Sequence, residues 1–172
     1  MNLIFKSNPI LYKKCVSVTN INDEIVNFSI KLYKAMKCNK GLGLAAVQVA
    51  RLQKIIALDP ALFLEKHNKE RYSKFKKNGL IMINAKIIEK SENFFSFEEG
   101  CLSFKGISFK IKRPAKVKVK YYDIQGRENY IEASSSMLSA CLQHEIDHTN
   151  GLLFSDRLIK NYKKKKFYRC DH

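Results

Sequence analysis

Residues 143–151 read Gln143-His144-Glu145-Ile146-Asp147-His148-Thr149-Asn150-Gly151. On an α-helix, residues four apart lie on one face. His144 and His148 can therefore aim two imidazoles at one divalent metal ion, and the carboxylate of Glu145 can reach a water on that ion. The pattern extends upstream: Met137, Cys141, His144 and His148 fall at spacings of four, three and four. The candidate ligands thus continue an apolar stripe that turns inward. This predicts a long helix over 134–148, capped by Ser134 or Ser135.

A catalytic metal site needs a third ligand and an open position for water. Downstream of His148 the candidates are Asp156, Asp171 and His172. Upstream, Cys101 lies in Glu98-Glu99-Gly100-Cys101-Leu102-Ser103, a segment of small and turn residues between predicted strands. Its thiolate could complete a Cys-His-His set.

Outward from these segments, residues 21–38 read as a first long helix. Asn20 or Asn22 can cap it, Ile25, Phe28, Leu32 and Ala35 or Met36 form its stripe, and Gly41 follows as a stop. Residues 54–58 read as a buried strand, 80–88 as a second, and 94–97 as a third that leads to Cys101. Residues 115–124 and 128–133 read as a hairpin around Gly126. Residues 60–79 are polar and basic without clear pattern, an exposed excursion.

With 172 residues and 45% hydrophobic content, the chain can build one domain with a real core. Five scattered cysteines argue against a disulfide framework and for a reducing compartment. Cys38 and Cys141 read as buried small side chains. Residues 1–10 carry no secretory signal pattern, and no stretch approaches the ~20 apolar residues of a membrane span. The formal net charge of +16 favours polyanions such as RNA. An AT-rich genome would produce the same excess of lysine over arginine, with plentiful Asn and Ile.

Gly41-Leu42-Gly43-Leu44-Ala45-Ala46-Val47-Gln48, the Cys101 segment and residues 143–151, in that order, resemble the three motifs of the peptide deformylases. The resemblance spans residues 7–158. That family removes the N-formyl group from nascent peptides that begin with formyl-methionine. Carried over by motif, it implies that Cys101, His144 and His148 hold one divalent metal ion: Fe²⁺ in the cell, with Zn²⁺, Ni²⁺ or Co²⁺ possible in preparations. A metal-bound water attacks the formyl carbon, with Glu145 as general base and then general acid. The Gln48 amide and the backbone N–H of Leu102 stabilise the oxyanion. Leu42 and Gly43 pair with the peptide backbone. The methionine pocket takes in Leu42, Phe97, Gly100, Met137, Ala140 and Cys141, with His144 at its base. Glu99 supports the site or pairs with Arg113, and Asp147 stands behind the ligands.

The implied fold is α+β: a single domain of antiparallel β-sheets around a central metal-binding helix, with the first helix packed outside. Residues 1–158 form the catalytic domain and 159–172 a short basic tail, as in phage-encoded or organelle-type members. The implied partners are formylmethionyl nascent peptides; the basic stretch with Lys160, Lys163 to Lys166 and Arg169 reads either as a contact for ribosomal RNA or as a solvated lysine end. Neither membrane nor DNA is implied. The implied location is the cytoplasm, or an organelle.

The chain departs from the family pattern in four places. Phe104-Lys105-Gly106 replaces an aliphatic residue and a proline. Ser108 or Lys110 stands where an arginine is usual. Ala85 replaces a proline and Thr149 a leucine. Two other readings compete. A zinc endopeptidase would use the same histidines but needs a ligand beyond His148. A basic RNA- or ribosome-binding module would carry only a structural metal.

Overall fold

The computed structural model describes residues 1–59, 61–62, 75, 79–134 and 136–158. Two helices sandwich one edge of a five-stranded antiparallel sheet. The strands are β1 (Gly43–Ala45), β2 (Ile55–Leu58), β3 (Leu80–Lys90), β4 (Phe94–Gly100), β5 (Ser108–Pro114), β6 (Lys116–Tyr122) and β7 (Glu128–Ser134). The large sheet runs in the order β1-β2-β3-β6-β7, and β4 and β5 form a separate pair. Among the described residues the two long helices are α1 (Asp23–Cys38) and α2 (Met137–Thr149).

The four residues of β2, Ile55-Ile56-Ala57-Leu58, are all buried. Successive strand side chains point to opposite faces, and here both faces are covered. Ile55 and Ala57 join Ile25, Leu32 and Met36 of α1 in one core cluster. Ile56 and Leu58 join Leu138, Leu142 and Ile146 of α2 in another. Each buried aliphatic side chain contributes about 1.5–3 kcal/mol, so the sheet edge and both helices stabilise one another. α2 is thereby held on its Leu138-Leu142-Ile146 stripe, and Met137, Cys141, His144 and His148 lie along a second stripe beside it.

α1 begins as expected at Asn22, whose side chain accepts from the Ile25 N–H at 3.1 Å. Its end differs from expectation. Lys40 (φ 55°) takes the left-handed position, and Gly41 N–H closes the turn on the Met36 carbonyl at 3.0 Å. Gly41 instead runs close to the loop after β4: a Cβ there would sit 2.6 Å from Leu102 Cδ1. α2 also begins later than expected, with Ser136 as its cap, accepting from the Ser139 N–H at 3.3 Å. Cys38, expected in the core, is exposed at the end of α1. The predicted hairpin is β6–β7.

The sequence reading did not assign β5. Its inward side alternates Ile111 with Arg113, and its outward side is Ser108, Lys110 and Lys112. A buried arginine disguises the alternation. In β3, Asn84 adopts φ 54° where the pairing with β6 shifts register. Its side chain pairs with both the N–H and the carbonyl of Val18 at 2.8 Å. Most of the predicted excursion over 60–79 and all of the basic tail lie outside the described residues. No described helix is long and apolar enough to cross a membrane.

Candidate active site

Three segments far apart in sequence converge on the side of α2 that carries Cys141, His144 and His148. Cys101 follows directly on β4, in a turn closed by Phe104 N–H on the Cys101 carbonyl at 2.9 Å. Its Sγ lies 3.3 Å from His148 Nε2. Ligand atoms of Cys101, His144 and His148 all lie within 4.8 Å of one another. Two ligands on one tetrahedral ion, with bonds of about 2.3 Å (S) and 2.0 Å (N), sit about 3.5 Å apart. The spacing of the Cys101 and His148 atoms fits such an ion, and one thiolate with two imidazoles suits several first-row divalent metals.

The surroundings prepare these residues as ligands. His144 Nδ1 is engaged at 2.9 Å by Glu99 Oε2, which leaves Nε2 as its ligating atom. Burial alone would disfavour the His144 imidazolium. Contacts with Cys101 and Glu99 outweigh burial and raise its pKa to about 10. For His148, burial and then the neighbouring positive charges push the pKa well down, so its ring is neutral. An ion held through His144 Nε2 would have to displace the proton of that ring.

Behind Glu99 lies a buried ion network. Arg113, 2% exposed, donates through Nε and Nη2 to the two Glu99 oxygens, the latter at 2.8 Å. It also donates through Nη1 to Asp147 Oδ2 at 2.8 Å. Arg157, from helical residues 154–158, closes on the same Asp147 carboxylate. Burial on its own would raise the Glu99 carboxyl, but Arg113 and His144 hold it below the ordinary carboxylate value. The expected pairing of Glu99 with Arg113 is therefore present, and Asp147 belongs to the same network.

Glu145 is buried, and its Oε2 has no partner among the described residues. Burial lifts its pKa to about 7. A carboxyl group titrating near neutrality can both accept and return a proton. Gly43 passes so close that a Cβ there would lie 2.4 Å from Glu145 Oε1 and 2.8 Å from Cys141 Sγ.

Gln48 sits in a 3₁₀ turn after β1. Its Oε1 accepts from the Ala45 N–H at 2.8 Å, which fixes the direction of the amide nitrogen. Nε2 then donates to Ser103 Oγ at 3.1 Å and lies 3.5 Å from Cys101 Sγ. The segment at residues 4–6 ties the two loops together: Ile4 N–H donates to the Gln48 carbonyl at 2.9 Å and Lys6 N–H to the Ser103 carbonyl at 3.0 Å.

All of this borders one cleft of about 780 Å³. Leu42, Gly43, Phe97, Gly100, Met137, Ala140 and Cys141 line it, together with Gln48, Cys101, Leu102, His144 and Glu145. His148 stands behind the lining, beside Cys101. Of the downstream candidates for a third ligand, Asp156 accepts from the Leu153 N–H at 2.8 Å instead, and Asp171 and His172 lie outside the described residues.

The sequence matches the family model described as polypeptide deformylase over residues 1–164. The chain belongs to the peptide deformylase family. A peptide deformylase of Borreliella burgdorferi is 37% identical over 165 residues, spanning 96% of this chain and 92% of its own. One from Wolbachia pipientis wMel is 39% identical over 150 residues, 87% of this chain and 82% of the relative. Among solved structures, the peptide deformylase of Synechococcus elongatus in complex with actinonin superposes with a TM-score of 0.79 at 33% identity, covering 91% of this chain and 79% of the other. The deformylase of Vibrio parahaemolyticus bacteriophage VP16T gives 0.75 at 29% identity, covering 89% and 99%.

Against the family pattern, Phe104 is buried and packs edge-on to Phe154 at 5.0 Å, and it also borders the cleft. Ser108 donates to Glu98 at 2.7 Å. Ser103, Arg157, Lys40, Lys105 and residues 3–6 also border or brace the deformylase cleft, yet they received no role from the sequence. Their contribution comes through backbone bonds, long-range pairs or position on the rim, none of which leaves a local spacing to read.

Proposed function

We propose that the chain hydrolyses the N-formyl group of formyl-methionine at the start of nascent peptides, releasing formate, with one divalent ion held by Cys101, His144 and His148. The observation that carries this reading is the convergence of that donor set, the Glu145 carboxylate, whose Oε2 has no partner among the described residues, and the oriented Gln48 amide. Fe²⁺ is the proposed ion in the cell. Once bound, the metal supplies an acidified water and polarises the formyl oxygen.

The protein's own groups do the rest. Glu145 takes the proton of the attacking water and returns it to the leaving amine. The Gln48 amide and the Leu102 N–H donate to the oxygen that becomes anionic. One such donor is worth about 3 kcal/mol of barrier in other hydrolases. β1 is the edge of its sheet, so the backbone around Leu42 and Gly43 can pair with an extended peptide. The apolar floor of Phe97, Met137, Ala140 and Cys141 suits a methionine side chain, and Gly100 leaves room at the end of β4. The reaction is assigned to the cytoplasm, and ribosome contact to residues 159–172.

The test is formate release from formyl-Met-Ala-Ser by Fe²⁺-loaded protein under anaerobic conditions, beside Glu145→Ala and a peptide without the formyl group. Release by the unaltered protein alone, from the formylated peptide alone, is expected. No release from folded, metal-loaded protein would overturn the reading.

A further inference from the structure

The floor of the cleft and its mouth differ in chemistry. Gln48, Glu145 and His144 at the floor are all buried, so the formyl end of a substrate is at depth. The lining residues that face solvent include Lys40, from the turn after α1, and Lys105, from the loop after β4. Lys40 is held on the tight turn after α1, with its backbone N–H on the Lys37 carbonyl at 3.0 Å. Lys105 lies in the stretch that departs from the family pattern, its Nζ 5.0 Å from the centre of the Phe5 ring. Among the described residues neither lysine has an ion-pair partner. The exposed acidic side chain of the lining, Glu98, is engaged by Ser108. Two ammonium groups against one carboxylate leave the mouth positive.

We infer that Lys40 and Lys105 select nascent chains carrying acidic side chains shortly after formyl-methionine. An extended peptide advances roughly 3.3 Å per residue. With the first side chain on the buried floor, the next few reach the exposed mouth that carries the two lysines. Ammonium groups without an ion-pair partner there attract carboxylates and repel lysines, and the effect weakens as salt screens it. The inference rests on the deformylase reading and assigns a substrate preference to that same cleft.

The test compares formyl-Met-Ala-Asp-Asp, formyl-Met-Ala-Asn-Asn and formyl-Met-Ala-Lys-Lys amides as substrates of the metal-loaded protein. At low salt, kcat/KM for the Asp peptide should exceed that for the isosteric Asn peptide by about threefold to fivefold, through KM. The Lys peptide should be poorest, and the spread should shrink at high salt. The double substitution Lys40→Ser, Lys105→Ser should bring the Asp-to-Asn ratio close to one. Lys86→Ser with Lys90→Ser, remote from the cleft on β3, should keep it. A ratio near one in the unaltered protein, or an equal fall in both double variants, would overturn the inference, the latter by assigning the preference to the net charge of the whole molecule. Failure to turn over even the Asn peptide would instead overturn the deformylase reading, and this inference with it.

Discussion

Gly43 shows how little space the reacting groups leave. Its place in the resemblance suggested a backbone that runs close to substrate, and the structure adds that it runs just as close to Glu145. Gly43→Ala should fold, because the strand conformation of β1 accepts alanine, but the methyl group must displace the Glu145 carboxylate. A displacement of that order costs about a hundredfold in rate. We expect kcat/KM to fall by about that factor with a melting temperature near that of the unaltered protein. An active Gly43→Ala would mean that Glu145 is less closely confined than its contacts indicate. Glu99 acts one step further out, since it accepts from Arg113 and engages His144. Glu99→Gln should weaken metal affinity about tenfold to a hundredfold, measured by Co²⁺ competition with a chelator. Unchanged affinity would confine Glu99 to a structural role. The Glu145 and His144 pattern was legible from spacing alone. The Arg113 network was legible only as a suggestion, because β5 is placed against α2 by tertiary contacts.

Among the elements, the segment at residues 4–6 contributes backbone rather than side chains. Its two N–H groups brace the Gln48 and Ser103 carbonyls, and so hold the loops that carry the proposed oxyanion donors. Lys6→Pro removes one donor. The expected result is a fall in kcat with metal affinity retained, read from Co²⁺ absorption. Loss of both together would make the segment a general stabiliser. Cys15, whose N–H donates to the Thr149 carbonyl at 2.9 Å, ties the stretch before α1 to the end of α2. Burial, only partly offset by Lys54, raises its thiol pKa to about 11 from an ordinary 9.0. Between those values the unfolded chain loses a proton that the folded chain keeps, so stability falls as pH rises through that window. Urea midpoints from pH 8 to 11 should show this loss in the unaltered protein and a smaller one in Cys15→Ala. Parallel curves would count against it.

For the whole molecule, α2 is both the centre of the core and the carrier of two proposed ligands, so metal binding and folding are coupled. A bound ion stabilises by RT ln(1 + [L]/Kd), about 4 kcal/mol at a thousandfold excess over Kd. Chelation should lower the melting temperature of the unaltered protein and leave that of His148→Ala unchanged. An unchanged melting temperature in the unaltered protein would mean that the ion adds nothing to stability. The helices, most strands and the proposed chemical groups could be read from the chain because each leaves a local trace. The 3.6-residue stripe, the two-residue alternation and the His-Glu-x-x-His spacing are all short-range patterns. Other features needed the assembled fold. Cys101 meets His148 across 47 positions, Gln48 is braced by residues 4–6, and an arginine is buried in β5 because Glu99 and Asp147 receive it. Lys40 and Lys105 face one opening only once α1 and the loop after β4 are packed. Local pattern governs which face of an element is apolar. Which distant faces meet depends on filling the core and pairing every buried charge, conditions that only the complete fold can satisfy.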